Sequence, residues 1–232
     1  MTGAISRSQI DQLGERVRGG VLSADDLQLL DSYRLSFVPA YEHVVEDIRR
    51  ELGLEPTGRP TKSTTSIADK LARVSIRLSQ MQDVAGCRVV VSDLVAQDVV
   101  VSRLIGVFDR STVFDRRETP SSGYRAVHVV VRSQDRAVEI QVRTAVQHLW
   151  AEFSEKLSDL VDIALKYGGG PVVLTDFLQR ASKAGARIEY HEKLIHESSG
   201  RDHEIAEIAA IKHEFGEMLR AMIRDVRAWR GD

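Results

Sequence analysis

The stretch GYRAVHVVVRSQDRAVEIQVRT, residues 123–144, limits the fold more than any other part of the chain. Two runs rich in β-branched residues flank a polar break, which predicts a β-hairpin with strands near 126–132 and 137–143 and a turn over Ser133–Arg136. Side chains alternate faces along a strand. Val138, Ile140 and Val142 then point into a core, while Glu139, Gln141 and Arg143 share the other face. With that turn, His128 stands opposite Gln141 and Val130 opposite Glu139, so His128 joins the polar face. Two readings stay open here: a strand face turned to solvent, as in many antiparallel sheets, or the floor of a site.

The rest of the pattern sets the class. Ser8 is placed to cap a helix over QIDQLGERVR that Gly19-Gly20 stops, and Ser23 to cap a long helix that Pro39 kinks or splits. GLEPTGRPTKST reads as a loop, SIADKLARV as a helix, VAGCRVVV as a buried strand, residues 95–107 as a helix, STVFD as a short strand and RRETPSSG as a loop. Thr144 and Gln147 form a capping box before an apolar stripe of Val146, Leu149, Trp150, Phe153, Leu157 and Leu160. KYGGGP ends that helix, and two more follow over about 173–197 and 203–230. Strands mixed with helices and then helices alone give an α/β (α+β) class. The expected segments are an N-terminal helical segment, 1–44, a core, 45–166, and a C-terminal helical extension, 171–232. Apolar spacing in the last helix (Ile205, Ile208, Ile211, Phe215, Leu219, Met222, Val226) suits either packing on its own domain or a homo-oligomer.

Charge narrows the ligand. The net charge is −2, yet residues 49–88 hold eight Lys/Arg against four acids. A local basic region in a neutral chain fits a small polyanion better than a long duplex. Cys87 is the single cysteine, so there is no disulfide framework and no cysteine metal cluster. No apolar run approaches the roughly 18 residues of a membrane span and the start is not that of a signal peptide, so a cytoplasmic location is expected.

Three groups of residues could carry chemistry. Ser66, Lys70 and Arg73 fall on one helical stripe, opposite Ile67, Leu71 and Val74, and Lys62 precedes them. Cations and a hydroxyl near a helix N-terminus suit phosphate, although a solvated helix face has the same pattern. Asp83, before the strand VAGCRVVV, is either a turn residue or, with Glu139, a pair of carboxylates able to hold Mg²⁺ together with ligand phosphates. Two further motifs fail on spacing. His191 and His196 of HEKLIH lie about 140° apart on a helix. The GGG at 168–170 lacks a following GK[ST].

Taken in order, RPTKSTTSIADKLAR, MQDVAGCRVVV, SSGYRAVH and VEIQVRT followed by QHLWAE resemble the synthetase domain of the RelA/SpoT family, in the compact form of the small alarmone synthetases. The resemblance covers roughly residues 45–165 and has no counterpart to the family's hydrolase or regulatory domains. It implies a nucleotidyltransferase-like mixed sheet flanked by helices. It also implies transfer of the β,γ-pyrophosphate of ATP to the 3′-hydroxyl of GDP or GTP with Mg²⁺. On this resemblance Arg59, Lys62, Ser66, Lys70 and Arg73 hold ATP phosphates and Arg88 packs on adenine. Asp83 and Glu139 contact Mg²⁺, with Glu139 activating the hydroxyl. Tyr124, Arg125, His128, Gln141 and Arg143 line the acceptor side.

One loop departs from the pattern. Where the family has a guanine-stacking tyrosine eight residues before the GYR glycine, this chain has Asp115, beside Phe114 and followed by Arg116 and Arg117. Phe114 stacks on the base if the loop shifts by one residue. The alternatives are an acceptor at the 3′-CCA end of tRNA, gripped by Arg116, Arg117 and the basic region in a toxic member with an antitoxin partner, or an adenosine nucleotide. A third reading is an inactive nucleotide sensor or scaffold.

Overall fold

The computed structural model describes residues 5–198 and 202–230. Residues 1–4, 199–201, 231 and 232 of the expected segments lie outside the described residues. The chain forms two compact units. One takes the residues up to Val89 with Leu104–Val113 and Val129–Gln141; the other takes Val90–Arg103, Phe114–His128 and the chain from Val142 onward. A five-stranded sheet in the order β1-β2-β5-β4-β3 draws on Thr57–Arg59 (β1), Ala85–Val91 (β2), Ser111–Asp115 (β3), Val127–Ser133 (β4) and Arg136–Thr144 (β5). This is the mixed sheet with flanking helices expected from the sequence.

In the first unit the N-terminal region is helical: α1 (Arg7–Gly19), α2 (Ala24–Leu35) and α3 (Val38–Asp47). Ser6, not Ser8, caps α1, because Gln9 stands three residues after Ser6 and completes a capping box. Gly20 ends the helix in the left-handed conformation. Pro39 splits the long helix by entering at the first turn of α3 rather than its interior, where its missing N–H costs nothing. The predicted loop at 53–64 contains β1, antiparallel to β2 with Thr57 opposite Arg88 and Arg59 opposite Gly86. Helix α4 (Thr64–Arg73) buries Ile67 and Leu71. Val74, expected on that buried stripe, is the extended C-cap and 39% exposed, because the helix ends one residue earlier. The β4–β5 turn is Gln134–Asp135, both with positive φ, the geometry that matches strand twist in a two-residue hairpin.

In the second unit α5 (Leu94–Val107) contributes its residues up to Arg103. Helices α6 (Ala145–Leu160), α7 (Val172–Glu197) and α8 (Asp202–Arg230) pack together around Val146, Trp150, Leu157, Leu178, Phe215 and Leu219. The Thr144–Gln147 capping box opens α6 as expected. In α8, Ile208, Phe215, Leu219 and Ile223 are buried in this cluster, so the helix packs on its own unit; Ile205 and Ile211 stay 43% and 40% exposed. Gly123 has φ +89°, and a Cβ there would meet the Trp150 ring at 2.8 Å, so both the turn and the packing exclude a side chain. Among the described residues no helix is long and apolar enough to cross a membrane.

Candidate active site

In the first unit, the polar cluster centres on Asp83. Ser63 caps α4, its hydroxyl accepting from the Ser66 N–H and donating to the Ser66 hydroxyl at 2.8 Å. Lys62 sits just before the cap, its N–H bonded to the Val84 carbonyl at 2.6 Å. The two lysines converge: Lys62 Nζ lies 2.9 Å from Asp83 Oδ2, and Lys70 Nζ 2.7 Å from Oδ1. Burial alone would raise the Asp83 pKa, but the two ammonium groups outweigh it and hold the carboxyl below its ordinary range. The side chains of all three remain partly accessible at 15–26%, so the cluster is open to a ligand.

Sequence reasoning missed the residue that fixes this turn. Arg34 of α2 donates to the Lys62 carbonyl at 2.6 Å and reaches the Thr64 and Thr61 hydroxyls at 3.2 and 3.4 Å. Its guanidinium is paired with Asp31. Its local pair with Asp31 is that of an ordinary helix residue, and the partners that fix the turn lie about thirty residues away.

Glu139 projects from β5 beside β2. A Cβ on Gly86 would stand 3.0 Å from the Glu139 carbonyl oxygen and 3.6 Å from its Cβ, so Gly86 admits the close approach of this strand. Gly86 and Arg88 alternate with the buried Ala85, Cys87 and Val89, and the register puts Arg59 and Arg88 on the face that Gly86 shares. Arg59 and Arg73 are exposed, and Arg88 is half-buried. Gln141 donates to Glu139 Oε2 at 2.8 Å. Burial and the Glu139 charge push the Cys87 thiol up to about 12, which leaves it a neutral core residue.

Strand β5 is not a solvent face. Glu139 and Gln141 are half-buried and Arg143 is 4% exposed; on β4, His128 is 7% exposed. Burying such groups is costly unless they are partnered. In the second unit the partners form a chain. Arg143 donates to the Tyr124 hydroxyl at 3.1 Å and lies 5.1 Å from its ring centroid; that hydroxyl lies 2.8 Å from His128 Nε2.

Arg125 is placed differently from its neighbours. It forms a buried ion pair with Glu189 of α7, whose carboxylate also accepts from the Thr144 hydroxyl. Neither Glu189 nor Gln97 was singled out from the sequence. Gln97 of α5 is fully buried and donates to the Val142 carbonyl at 2.7 Å and to Gln147 at 2.8 Å.

The variant loop has a definite geometry. Arg117 pairs with Asp115 and with Asp98, each at 2.6 Å. Burial works against both charges, yet the pairing lowers the Asp115 pKa and raises that of Arg117. Asp115 is therefore a fixed counter-ion. Phe114 is 40% exposed, and the Arg116 N–H bonds the Ala126 carbonyl at 2.9 Å.

Residues 58–158 match the region found in RelA / SpoT proteins. The chain is 34% identical over 149 residues to GTP pyrophosphokinase YjbM of Bacillus subtilis, covering 57% of this chain and 67% of that protein. The chain belongs to the RelA/SpoT family. It is also 32% identical over 148 residues to the protein Rv1366 of Mycobacterium tuberculosis, and spans 54% of that relative's length. Small alarmone synthetase 1 of Bacillus subtilis, solved with its product pppGpp, superposes with a TM-score of 0.57 at 28% identity over 72% of this chain and 98% of that one. A second structure of small alarmone synthetase 1 of Bacillus subtilis gives 0.56 at 29% identity. The fold is that of the small-synthetase members of the RelA/SpoT family.

Proposed function

We propose that this RelA/SpoT protein is an ATP-dependent pyrophosphokinase that moves the β,γ-pyrophosphate of ATP to the 3′-hydroxyl of a guanosine nucleotide. The observation that carries the reading is the Lys62–Asp83–Lys70 cluster at the head of α4. Phosphoryl-type transfer needs positioning and charge neutralisation far more than covalent help. Two lysines held by one carboxylate are kept in place until phosphates arrive. The α4 N-terminus adds backbone N–H groups to the same cradle, with Ser66 and Arg73 on its exposed stripe. Arg59 and Arg88 share the strand face that carries Gly86, and the planar guanidinium of Arg88 suits stacking on adenine.

Glu139 is the group that takes the proton of the attacking hydroxyl. Gln141, which donates to Glu139 Oε2 at 2.8 Å, fixes the rotamer of that base. Asp83 and Glu139 supply one or two carboxylates, the donor set from which Mg²⁺ is held when phosphates complete the shell, and the ion would neutralise charge on the transferred group. Tyr124, His128 and Arg143 serve the acceptor. An ATP-consuming activity suits the cytoplasm.

The Asp115–Arg117 pair favours a second reading, in which the acceptor is an adenosine nucleotide or the tRNA 3′ end. A carboxylate locked to Arg117 cannot stack on guanine, which leaves only Phe114 to do so. A panel of acceptors decides. Purified protein is incubated with γ-labelled ATP and Mg²⁺, and separately with GDP, GTP, ADP or bulk tRNA. Label on GDP or GTP is expected. Label on ADP or tRNA alone would replace the guanosine acceptor, and no label on any acceptor with ATP still bound would point to a sensor.

A further inference from the structure

A second basic site lies in the first unit, away from the residues assigned above. A cavity of about 320 Å³ opens where α2, the start of α1, the turn at 78–80 and the tip of the β4–β5 hairpin come together. Three arginines line it: Arg7 on α1, Arg132 on β4 and Arg136 on β5. The acid on its wall is Asp135, whose side chain is 95% exposed and lies 3.9 Å from Arg110, outside the cavity.

Two of the three arginines, Arg136 and Arg7, are held in place without being neutralised. Arg136 rests over Phe37 and Tyr33, 5.2 and 5.7 Å from the ring centroids, and the two rings meet edge to face. Arg7 donates to the Ser79 hydroxyl at 3.3 Å. Among the described residues no carboxylate pairs with the side chain of Arg7, Arg132 or Arg136. The Tyr33 hydroxyl, pushed up to about 12 mainly by burial, stays neutral. Guanidinium groups gathered around a polar cavity repel one another, and that repulsion is relieved by an anion.

We propose that this cavity is a binding site for a small polyphosphate anion, either free or as the polyphosphate arm of a nucleotide. Three guanidinium groups, set against Asp135 on the wall and against Asp11, whose carboxylate accepts from the Ser79 N–H at 3.1 Å, leave an excess of positive charge that calls for an anionic ligand. Their forked donors match phosphate oxygens, and the volume sits at the small end of ligand sites. Gln82 and Ala137 line the cavity two residues or fewer from Asp83 and Glu139 along the chain, so occupancy has a short covalent route to both carboxylates.

The test uses the full chain and inorganic pyrophosphate without Mg²⁺, followed by calorimetry. It is run in a Lys70→Ala background to mute the cradle on α4. Saturable binding is expected, weakened about tenfold or more by Arg132→Ala and by Arg136→Gln. Arg132 is an exposed side chain, so its variant decides even if Arg136→Gln fails to fold. Repeating the titration with ATP and with AMP separates the sources. Competition by ATP but not AMP means a nucleotide's polyphosphate arm enters, and pyrophosphate alone means the free anion. The proposal is overturned if both variants keep the affinity within about twofold, or if no saturable binding occurs below about 10 mM. Because the readout is binding rather than turnover, failure of the pyrophosphokinase reading leaves this result interpretable.

Discussion

At Glu139, backbone and side chain answer different demands. The backbone continues a buried strand, with Val138 and Ile140 fully buried on either side, while the carboxylate faces away from that core and is tied to Gln141. Glu139→Gln keeps the size, exchanges one acceptor oxygen for a donating amide and removes the base. Transfer should fall at least about a hundredfold, with the melting temperature moved by no more than about 3 °C. Retained activity within a few-fold would remove Glu139 from the role of base. Asp83 makes a separate, pH-dependent statement. Its folded pKa is depressed, so its contribution to stability is fully present above the unfolded value of about 3.9 and is lost as pH falls through the lower folded value. Asp83→Asn should therefore flatten the loss of stability on acidification in that window, followed by urea melts at stepped pH. An unchanged acid limb would mean the lysines do not hold Asp83 as described. Lys70→Ala should raise the KM for ATP about tenfold or more; an unchanged KM would mean the cradle does not touch ATP.

At the scale of elements, long-range polar anchors tie the strands and turns to the helices. Glu189 of α7 receives Arg125 and Thr144 where β5 ends and α6 begins. Glu189→Ala strands a buried guanidinium and should cost about 3–5 kcal/mol in urea unfolding. Replacing both Glu189 and Arg125 by apolar residues should cost much less. Equal losses would mean the pair is not coupled. This is also where the sequence stopped being legible. Periodicity and caps revealed the helices, the hairpin and the Thr144 capping box, because those signals are local. Arg34, Gln97 and Glu189 escaped notice because each looks like an ordinary helix residue until a partner dozens of residues away is in place. Strand β1 escaped because three residues with Gly58 at the centre carry no alternation. The polar face of β5 was visible, but whether it met solvent was not, since burial depends on what packs over the strand. The departure at Asp115 was visible as a mismatch; only the structure showed the carboxylate held by Arg117.

For the whole molecule, the C-terminal helices are part of a core rather than an appendage. Leu178, Ala181, Phe215 and Leu219 complete the apolar cluster that Val146, Trp150 and Leu157 begin. A chain ending before Val172 should lose cooperative unfolding and solubility, and a truncated chain with a sharp thermal transition would contradict that. The central claim joins the Asp83 cluster and Glu139 in one activity, and it is tested most directly by following the γ-label of ATP. Wild-type protein given ATP, Mg²⁺ and GDP or GTP should place label on the guanosine nucleotide, and Glu139→Gln protein should bind ATP and transfer none. Wild-type protein that binds ATP yet moves no label to any acceptor would contradict the account.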